Sequence, residues 1–207
     1  MKTTSEFSRT SRADRFAEAV SSIFHPFIVV VPTMLIAILY RGSSLAQALF
    51  WTALSIGIVI LPLVYLIFSG VRSGRYSDPS ISIREQRRSL YITASVLFIL
   101  LIVILVLGKA PLILVACLTA AVLATLIGFL INSRFTKLSL HSIAIAGCTT
   151  VTILTLPWLG ITMALIMLVV AWARIRLRHH TLAQILIGWT VAVGSVVFIF
   201  HMFHLLS

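Results

Sequence analysis

The sequence predicts an all-α, polytopic transmembrane helical bundle with about six to seven membrane-spanning helices. Of its 207 residues, 60% are hydrophobic and only 10% are charged, and the mean hydropathy is +1.12. A water-soluble domain of this length needs far more charge to cover its surface. Several apolar runs also approach the ~20 residues with which a helix crosses about 30 Å of hydrocarbon.

Apolar segments mark the predicted helices along the chain. The fifth and sixth are separated only by residues 157–160, Pro-Trp-Leu-Gly, which indicate a tight turn and therefore a helical hairpin. Similar short turns join the first segment to the second and the third to the fourth. The predicted segments are 21–40, 47–69, 90–107, 111–131, 141–157, 159–173 and 181–206.

The N-terminal stretch is polar and charged for longer than the start of an ordinary signal peptide. Arg12 and Arg15 alternate with apolar residues such as Phe16, which favours a short interfacial helix, with an unstructured tail as the alternative. The sequence therefore divides into an N-terminal tail, residues 1–20, and a single transmembrane domain, residues 21–207.

Positive charge is concentrated on one side of the predicted bundle. One helical hairpin separates each of the four longer polar stretches from the next, so the chain returns to the same side of the membrane each time. These stretches carry 14 of the 16 lysine and arginine residues. Only Arg41 and Lys109 lie opposite. The positive-inside rule then places the basic loops in the cytoplasm and the C-terminus on the other side of a bacterial-type inner membrane. The four stretches are 1–20, 70–89, 132–140 and 174–180.

The net charge of +11 bears on the expected partners. No aromatic-interleaved basic domain and no zinc-finger spacing is present, so nucleic acid is not expected. In a membrane protein the excess indicates contact with anionic lipids or an anionic substrate. Membrane lipids and a phosphorylated lipid are the expected partners, and membrane-protein partners or a homo-oligomer stay open.

Three basic clusters each directly precede a predicted helix: 78–88, 137–141 and 174–184. A helix N-terminus offers unpaired N–H groups and a partial positive charge, which together favour an anion. Arginine adds bidentate hydrogen bonds to phosphate oxygens. A histidine beside such a pocket can attack phosphorus or protonate the leaving oxygen. These clusters therefore indicate phosphate chemistry.

The third cluster resembles the last signature of the type 2 phosphatidic acid phosphatase family, which includes lipid phosphatases and vanadium haloperoxidase-like enzymes. Arg174 and His180 stand six residues apart, as in that signature, and an acidic residue normally follows four positions later. Ser139 and His141 are similar to the family's Ser-Gly-His element, and the first cluster loosely matches its basic opening motif. The chain is thereby identified as a divergent member over residues 78–190.

The resemblance implies a phosphatase that uses no metal or other cofactor and hydrolyses a lipid phosphate, such as phosphatidic acid or a polyprenyl phosphate, through a phosphohistidine. His180 would be the nucleophile, and His141 would be the acid that protonates the leaving group. The residues expected to hold the phosphoryl oxygens are Arg174, Arg87 or Arg88, Ser139 and Lys137.

The sequence departs from the family pattern at two informative positions. Gln184 replaces the acidic residue that would orient His180 and stabilise its imidazolium, and Leu140 replaces a glycine. In serine proteases the analogous Asp-to-Asn change costs ~10⁴ in kcat. An inactive relative that binds anionic lipid, or serves as an accessory subunit of a membrane complex, is therefore the alternative. A small transporter ranks third, since paired broken helices and a buried acidic relay are missing from the sequence.

Other polar residues are interpreted as structural. His25, followed by proline, is expected to start the first helix. His201 and His204 are expected at the opposite membrane surface, with a haem or metal pair as the less favoured alternative. Asp78 and Glu85, the acids of the basic loops, are expected to pair with neighbouring arginines.

Overall fold

The computed structural model describes residues 11–206, which form eight helices and no β-strand. The third helix includes one π-helical turn, Ile56–Ile60. This is the all-α polytopic bundle that the sequence predicts. The helices are α1 (Arg12–Ile23), α2 (Pro26–Tyr40), α3 (Leu45–Arg72), α4 (Arg87–Leu107), α5 (Leu112–Arg134), α6 (Leu140–Thr155), α7 (Pro157–Arg176) and α8 (Leu182–Met202).

Helix length and surface polarity are those of an integral membrane protein. Helices α3, α4, α5, α7 and α8 are each long and apolar enough to cross a membrane, and α1 with α2 would make a sixth span bent by 46°. Large apolar side chains such as Tyr65, Leu107 and Trp158 face outward and are 68–77% exposed. Water would solvate such a surface unfavourably, whereas lipid chains match it.

The N-terminal polar stretch forms a helix over its described part. Ser11 and Asp14 cap α1 reciprocally, each side chain accepting the other's backbone N–H. Of the two interpretations of this stretch, the helix is the observed one from Arg12 onward, and residues 1–10 lie outside the described part. The first predicted segment, 21–40, is therefore divided, because Pro26 cannot continue α1 and instead starts α2.

α6 is the central helix and packs against α2, α7 and α8. It has 16 residues, of which ten are buried. Three of its buried threonines, Thr150, Thr152 and Thr155, donate their hydroxyls to carbonyls four residues earlier, at 2.7–2.9 Å. The helix can therefore carry hydroxyl groups inside an apolar bundle without leaving those donors unpaired.

The predicted hairpin between the fifth and sixth segments is confirmed, and it is tighter than the sequence suggests. α6 ends at Thr155 and α7 begins at Pro157, two residues before the predicted start of the sixth segment. Proline is suited to this position because its missing N–H falls where the helix has no acceptor for it. The turn returns the chain to the end of the bundle at which α6 begins.

The helix starts that follow the three basic clusters lie together at one end of the bundle. Arg87, at the start of α4, donates to the Leu138 carbonyl just before α6, at 2.5 Å. Gln184, in the first turn of α8, donates to the Thr136 hydroxyl at 3.2 Å. We call this end the basic end. At the other end, Arg41 donates to the carbonyl of Leu205 at 3.0 Å.

Gly160 permits the close approach of α7 to α6. A methyl group at this position would lie 2.6 Å from Cα and 2.7 Å from N of Ile153. We expect Gly160→Ala to lower the free energy of unfolding by about 1–3 kcal/mol, because backbone atoms cannot move aside as a flexible side chain can.

Gly147→Ala, also within this hairpin, is the matched control, since its methyl group would meet open space. It should unfold at the wild-type temperature or slightly above it. Thermal unfolding of the three proteins in one detergent measures the difference. Equal melting temperatures for Gly160→Ala and Gly147→Ala would contradict the close contact.

Candidate functional site

The turn that follows α7 brings His180 back over Arg174. The N–H groups of His179 and His180 both donate to the carbonyl of Arg174, at 3.1 and 3.3 Å. The N–H of Arg178 donates to the carbonyl of Ile175. Arg178 adopts a left-handed conformation with φ of 54°. This is the hydrogen-bond pattern of a Schellman motif, with arginine where glycine is usual. Because of this motif, Arg174 and His180 lie close together although they are six residues apart in the sequence.

Gln184 holds the ring of His180 in a defined tautomer. Its Oε1 accepts the backbone N–H of Thr181 at 3.2 Å and lies 3.1 Å from Nδ1 of His180, while its Nε2 donates to Thr136. The backbone N–H of Thr181 needs an acceptor, so the amide oxygen of Gln184, not its nitrogen, must point this way. The same oxygen faces Nδ1 of His180. Nδ1 must then carry the proton that it donates to this oxygen. The Nε2 lone pair of His180 is left unprotonated. The Gln184 amide therefore selects the same tautomer that a carboxylate would select, although it supplies no negative charge.

His180 is uncharged at neutral pH. Burial, followed by the positive charges of Arg174, Arg87 and Lys137, lowers the pKa of His180 to about 3. The ring is therefore a neutral base across the physiological range. Binding an anion beside it would offset those positive charges and favour the imidazolium form.

Of the two arginines that the sequence left open, Arg87 belongs to the site and Arg88 does not. Arg87 is 2% exposed, whereas Arg88 points outward. The Arg87 guanidinium donates to the carbonyls of Ser80, Ile81 and Leu138, at 3.3, 2.7 and 2.5 Å. It therefore ties the first basic loop to the second, and two of its five N–H donors are still available.

Arg174 is buried without an acceptor for its Nε–H. The residue is 3% exposed, and none of the described residues accepts a hydrogen bond from Nε. A buried, unpaired donor on a charged group costs several kcal/mol when no ligand satisfies it (about 1–3 kcal/mol for a neutral donor and more for a charged one). The side chain lines a cavity together with Arg87, His141 and His180. Arg174 is therefore a candidate contact for an anion.

The remaining phosphate contacts predicted from the second cluster differ in position. Ser139 is fully buried and caps α6, its hydroxyl accepting the N–H of Ser142 at 3.2 Å, and it does not line the cavity. Lys137 is half-buried beside the cluster, where burial and the charges of Arg87 and Arg174 lower its pKa. Its charge acts on the site, while Ser139 acts by fixing the start of α6.

His25, interpreted from the sequence as structural, is also part of the site. Its ring meets that of His141 edge to face, with centroids 5.1 Å apart, and lines the same cavity. Nδ1 of His25 accepts the N–H of Phe27 at 3.3 Å and so caps α2. This capping of α2 agrees with the sequence, in which histidine followed by proline indicates the start of a helix. The contact with His141 depends on the packing of α2 against α6, for which the sequence carries no signal.

The expected pairing of the loop acids with arginines is wrong. Among the described residues the only ion pair joins Arg176 to Asp14, at 2.8 Å. The carboxylate of Asp78 instead accepts hydrogen bonds from Ser77, Ser80 and Ser82, at 2.7–3.0 Å, and shapes its own loop. The guanidinium groups of the cluster therefore have no carboxylate in direct contact.

The other histidine pair lies far from this site. His201 and His204 are exposed at the opposite end of the bundle, at the end of α8. Within residues 11–206 no group of three His, Cys, Asp or Glu side chains is arranged to hold a metal ion. The basic end is thus the candidate functional site.

Comparison with known proteins assigns no family to the chain. No protein-family model, curated protein or solved structure matches it. The resemblance noted in the sequence therefore rests on the quoted residues alone, and function has to be argued from the chemistry of the side chains at the basic end.

Replacing Arg87 should separate the two basic loops. We expect Arg87→Met to lower the free energy of unfolding by about 2–4 kcal/mol, because two buried carbonyls and one partly buried carbonyl lose their donor. Amide hydrogen exchange should accelerate in residues 73–86 and 135–139. Arg88→Met removes an exposed charge next to it and should leave both measurements unchanged. Equal behaviour of the two variants would contradict the bridging role.

Proposed function

We propose that this protein is a membrane-embedded phosphatase that hydrolyses a lipid phosphate through a phosphohistidine. The observation that supports the proposal most directly is the position of His180 beside Arg174, in one cavity with Arg87 and His141. A neutral histidine, two buried guanidinium groups and a second histidine are the groups that phosphoryl transfer to a protein nucleophile needs.

In the first step, Nε2 of His180 attacks phosphorus, so that a P–N bond forms while the P–O bond to the lipid alcohol breaks. The Nδ1 proton of His180 stays on the ring, held by Gln184. Arg174 and the two remaining donors of Arg87 bind the equatorial phosphoryl oxygens. His141, which takes up a proton as the phosphoryl anion binds, donates it to the departing lipid oxygen, and that oxygen leaves as an alcohol.

In the second step, water attacks phosphorus and the P–N bond breaks. His141, now without its proton, accepts one from the attacking water, and inorganic phosphate is released. The ring of His25 packs edge to face against the ring of His141 and so helps to hold it in place. The cycle returns both histidines to their starting protonation states.

Orientation, membrane and partners form part of the same proposal. The 14-to-2 distribution of basic residues favours a cytoplasmic position for the basic end in a bacterial-type inner membrane. The phosphorylated lipid would then approach from the cytoplasmic leaflet. Membrane lipids are the expected neighbours, and the chain leaves a homo-oligomer or a membrane-protein partner open.

The direct test is phosphate release from phosphatidic acid and polyprenyl phosphates by the purified protein in nanodiscs. Wild type should release phosphate, and His180→Ala should lose at least about 10³-fold in kcat, since loss of a nucleophile leaves only binding effects. His201→Ala, at the other end of α8, is the control and should match wild type. Equal rates for wild type and His180→Ala would remove His180 from the mechanism.

Gln184→Glu tests the missing negative charge with almost no change in shape. Glutamate can keep both the contact with His180 and the capping box with Thr181. A carboxylate there raises the pKa of His180 from about 3. Because His180 must be unprotonated to attack, the acid limb of kcat/KM should move to higher pH by about one to three pH units.

At pH 8 the same variant should have the higher kcat, since the carboxylate stabilises the charged phosphohistidine. Gln184→Leu serves as its counterpart, because it removes the acceptor altogether and should lower kcat. An unchanged pH profile in Gln184→Glu would mean that the amide does not contact the reacting ring.

The neutral amide of Gln184 also favours a second candidate, a relative that binds anionic lipid without hydrolysing it. In that case wild type would bind lipid phosphate and release none, whereas Gln184→Asp or Gln184→Glu would gain activity. Activity in wild type that depends on His180 excludes this alternative.

A further inference from the structure

A single cavity extends from the candidate site into the middle of the bundle. Its volume is about 290 Å³. Its upper end is formed by the histidines and arginines described above, and its lower end includes Leu101, Leu114 and Val196. Leu101 follows Arg87 by 14 residues on α4, so at 1.5 Å per residue the cavity extends along about 21 Å of this helix.

The lower wall is apolar. Its hydroxyl residues Thr33, Ser55 and Thr125 donate to carbonyls of their own helices, at 2.7–2.9 Å, and offer the cavity no free proton. Small residues keep the passage open, among them Ala94 on α4 and Ala121 on α5. A space of this kind does not hold ordered water, which needs two or more polar partners.

The upper end is polar and incompletely satisfied. In addition to the Arg174 Nε–H, the hydroxyl of Tyr91 is buried and has no partner among the described residues. Tyr91 lies one helical turn below Arg87 and lines the cavity. These unpaired donors require acceptor atoms of a ligand, and the uncompensated guanidinium groups require that the ligand be anionic.

The shape of the cavity determines what kind of hydrocarbon group the ligand can carry. One passage of this volume, bounded by helices, takes one linear chain. In an extended chain three bonds span at most ~3.6 Å, so 21 Å corresponds to about 17 bonds. A diacylglycerol phosphate carries two such chains on one headgroup, and its second chain would have to lie outside this passage.

We propose that this cavity binds the single hydrocarbon chain of an alkyl or isoprenoid phosphate, so that the preferred substrate carries one linear chain of about 16 backbone carbons. This proposal rests on the proposed phosphatase activity for its kinetic test. Chain binding itself is independent of hydrolysis and can be tested without it.

The kinetic test compares butyl, hexadecyl and geranylgeranyl phosphate with dipalmitoyl phosphatidate in wild type, Ala94→Leu and Val96→Leu. Ala94 lies seven residues below Arg87, about 10 Å into the cavity, whereas Val96 faces outward and is 58% exposed. Ala94→Leu should lower kcat/KM for the two long-chain phosphates by at least about ten-fold, since losing the burial of two methylene groups already costs that much.

In the same comparison, butyl phosphate should be unaffected by either variant, because its chain ends above position 94. Val96→Leu should match wild type on every substrate. If Ala94→Leu unfolds, Ala94→Val and Ala121→Val narrow the same passage with less added volume. Unchanged chain-length dependence in the folded variants, or wild-type turnover of phosphatidate equal to that of hexadecyl phosphate, overturns the proposal.

The binding test uses hexadecylphosphonate with a diazirine at the end of its chain, because its C–P bond cannot be hydrolysed. Photolysis should label residues near the lower end of the cavity, such as Leu101 and Leu114. Labelling at outward-facing Ile99 or Val103 instead would place the chain in bulk lipid and refute the assignment. Labelling inside the cavity without any phosphate release would retain the chain site and reject the phosphatase.

Discussion

Two guanidinium groups buried without a carboxylate partner are the constraint on which the basic end depends. Desolvating such a charge is expensive, and an acid in contact usually offsets the cost. Arg87 is stabilised by three backbone carbonyls, which also join two loops, whereas the Nε–H of Arg174 has no acceptor among the described residues. The bundle therefore holds a buried charge with an unsatisfied donor, and the remaining cavity groups line the same cavity.

The sequence predicts the bundle well because its signals are local. Apolar length marks the helices from α2 onward, and Pro157 marks a hairpin. The three basic clusters could be located, but their convergence depends on helix packing. α4 is apolar around its whole circumference from Val96 onward, so no periodic pattern indicates which of Arg87 and Arg88 faces inward. The buried position of Tyr91, one turn further along, shows that Arg87 lies on the inner face.

Side-chain chemistry beyond the motifs was harder to predict for the same reason. Gln184 departs from the family pattern, and its sequence position suggests only a lost charge. Its effect on the His180 tautomer follows from a backbone N–H at Thr181 that fixes the direction of the amide. The contact of His25 with His141 joins residues 116 positions apart and required the packing of α2 on α6. The first interaction belongs to a capping box that the local pattern Thr-x-x-Gln at residues 181–184 indicates, whereas nothing local in the sequence indicates the second.

The shortness of α6 has a consequence for how a lipid would reach the site. Its 16 residues span about 24 Å, against about 30 Å of hydrocarbon, yet neighbouring helices surround it and shield it from lipid. Hydrophobic mismatch therefore does not apply to it, and the bilayer need not thin to accommodate it. α7 starts at the same hairpin and has 20 residues, so it extends past the start of α6, where His141 is 7% exposed. A headgroup that meets this imidazole must sink a few ångströms out of the interfacial plane, leaving its hydration shell behind before any bond is broken.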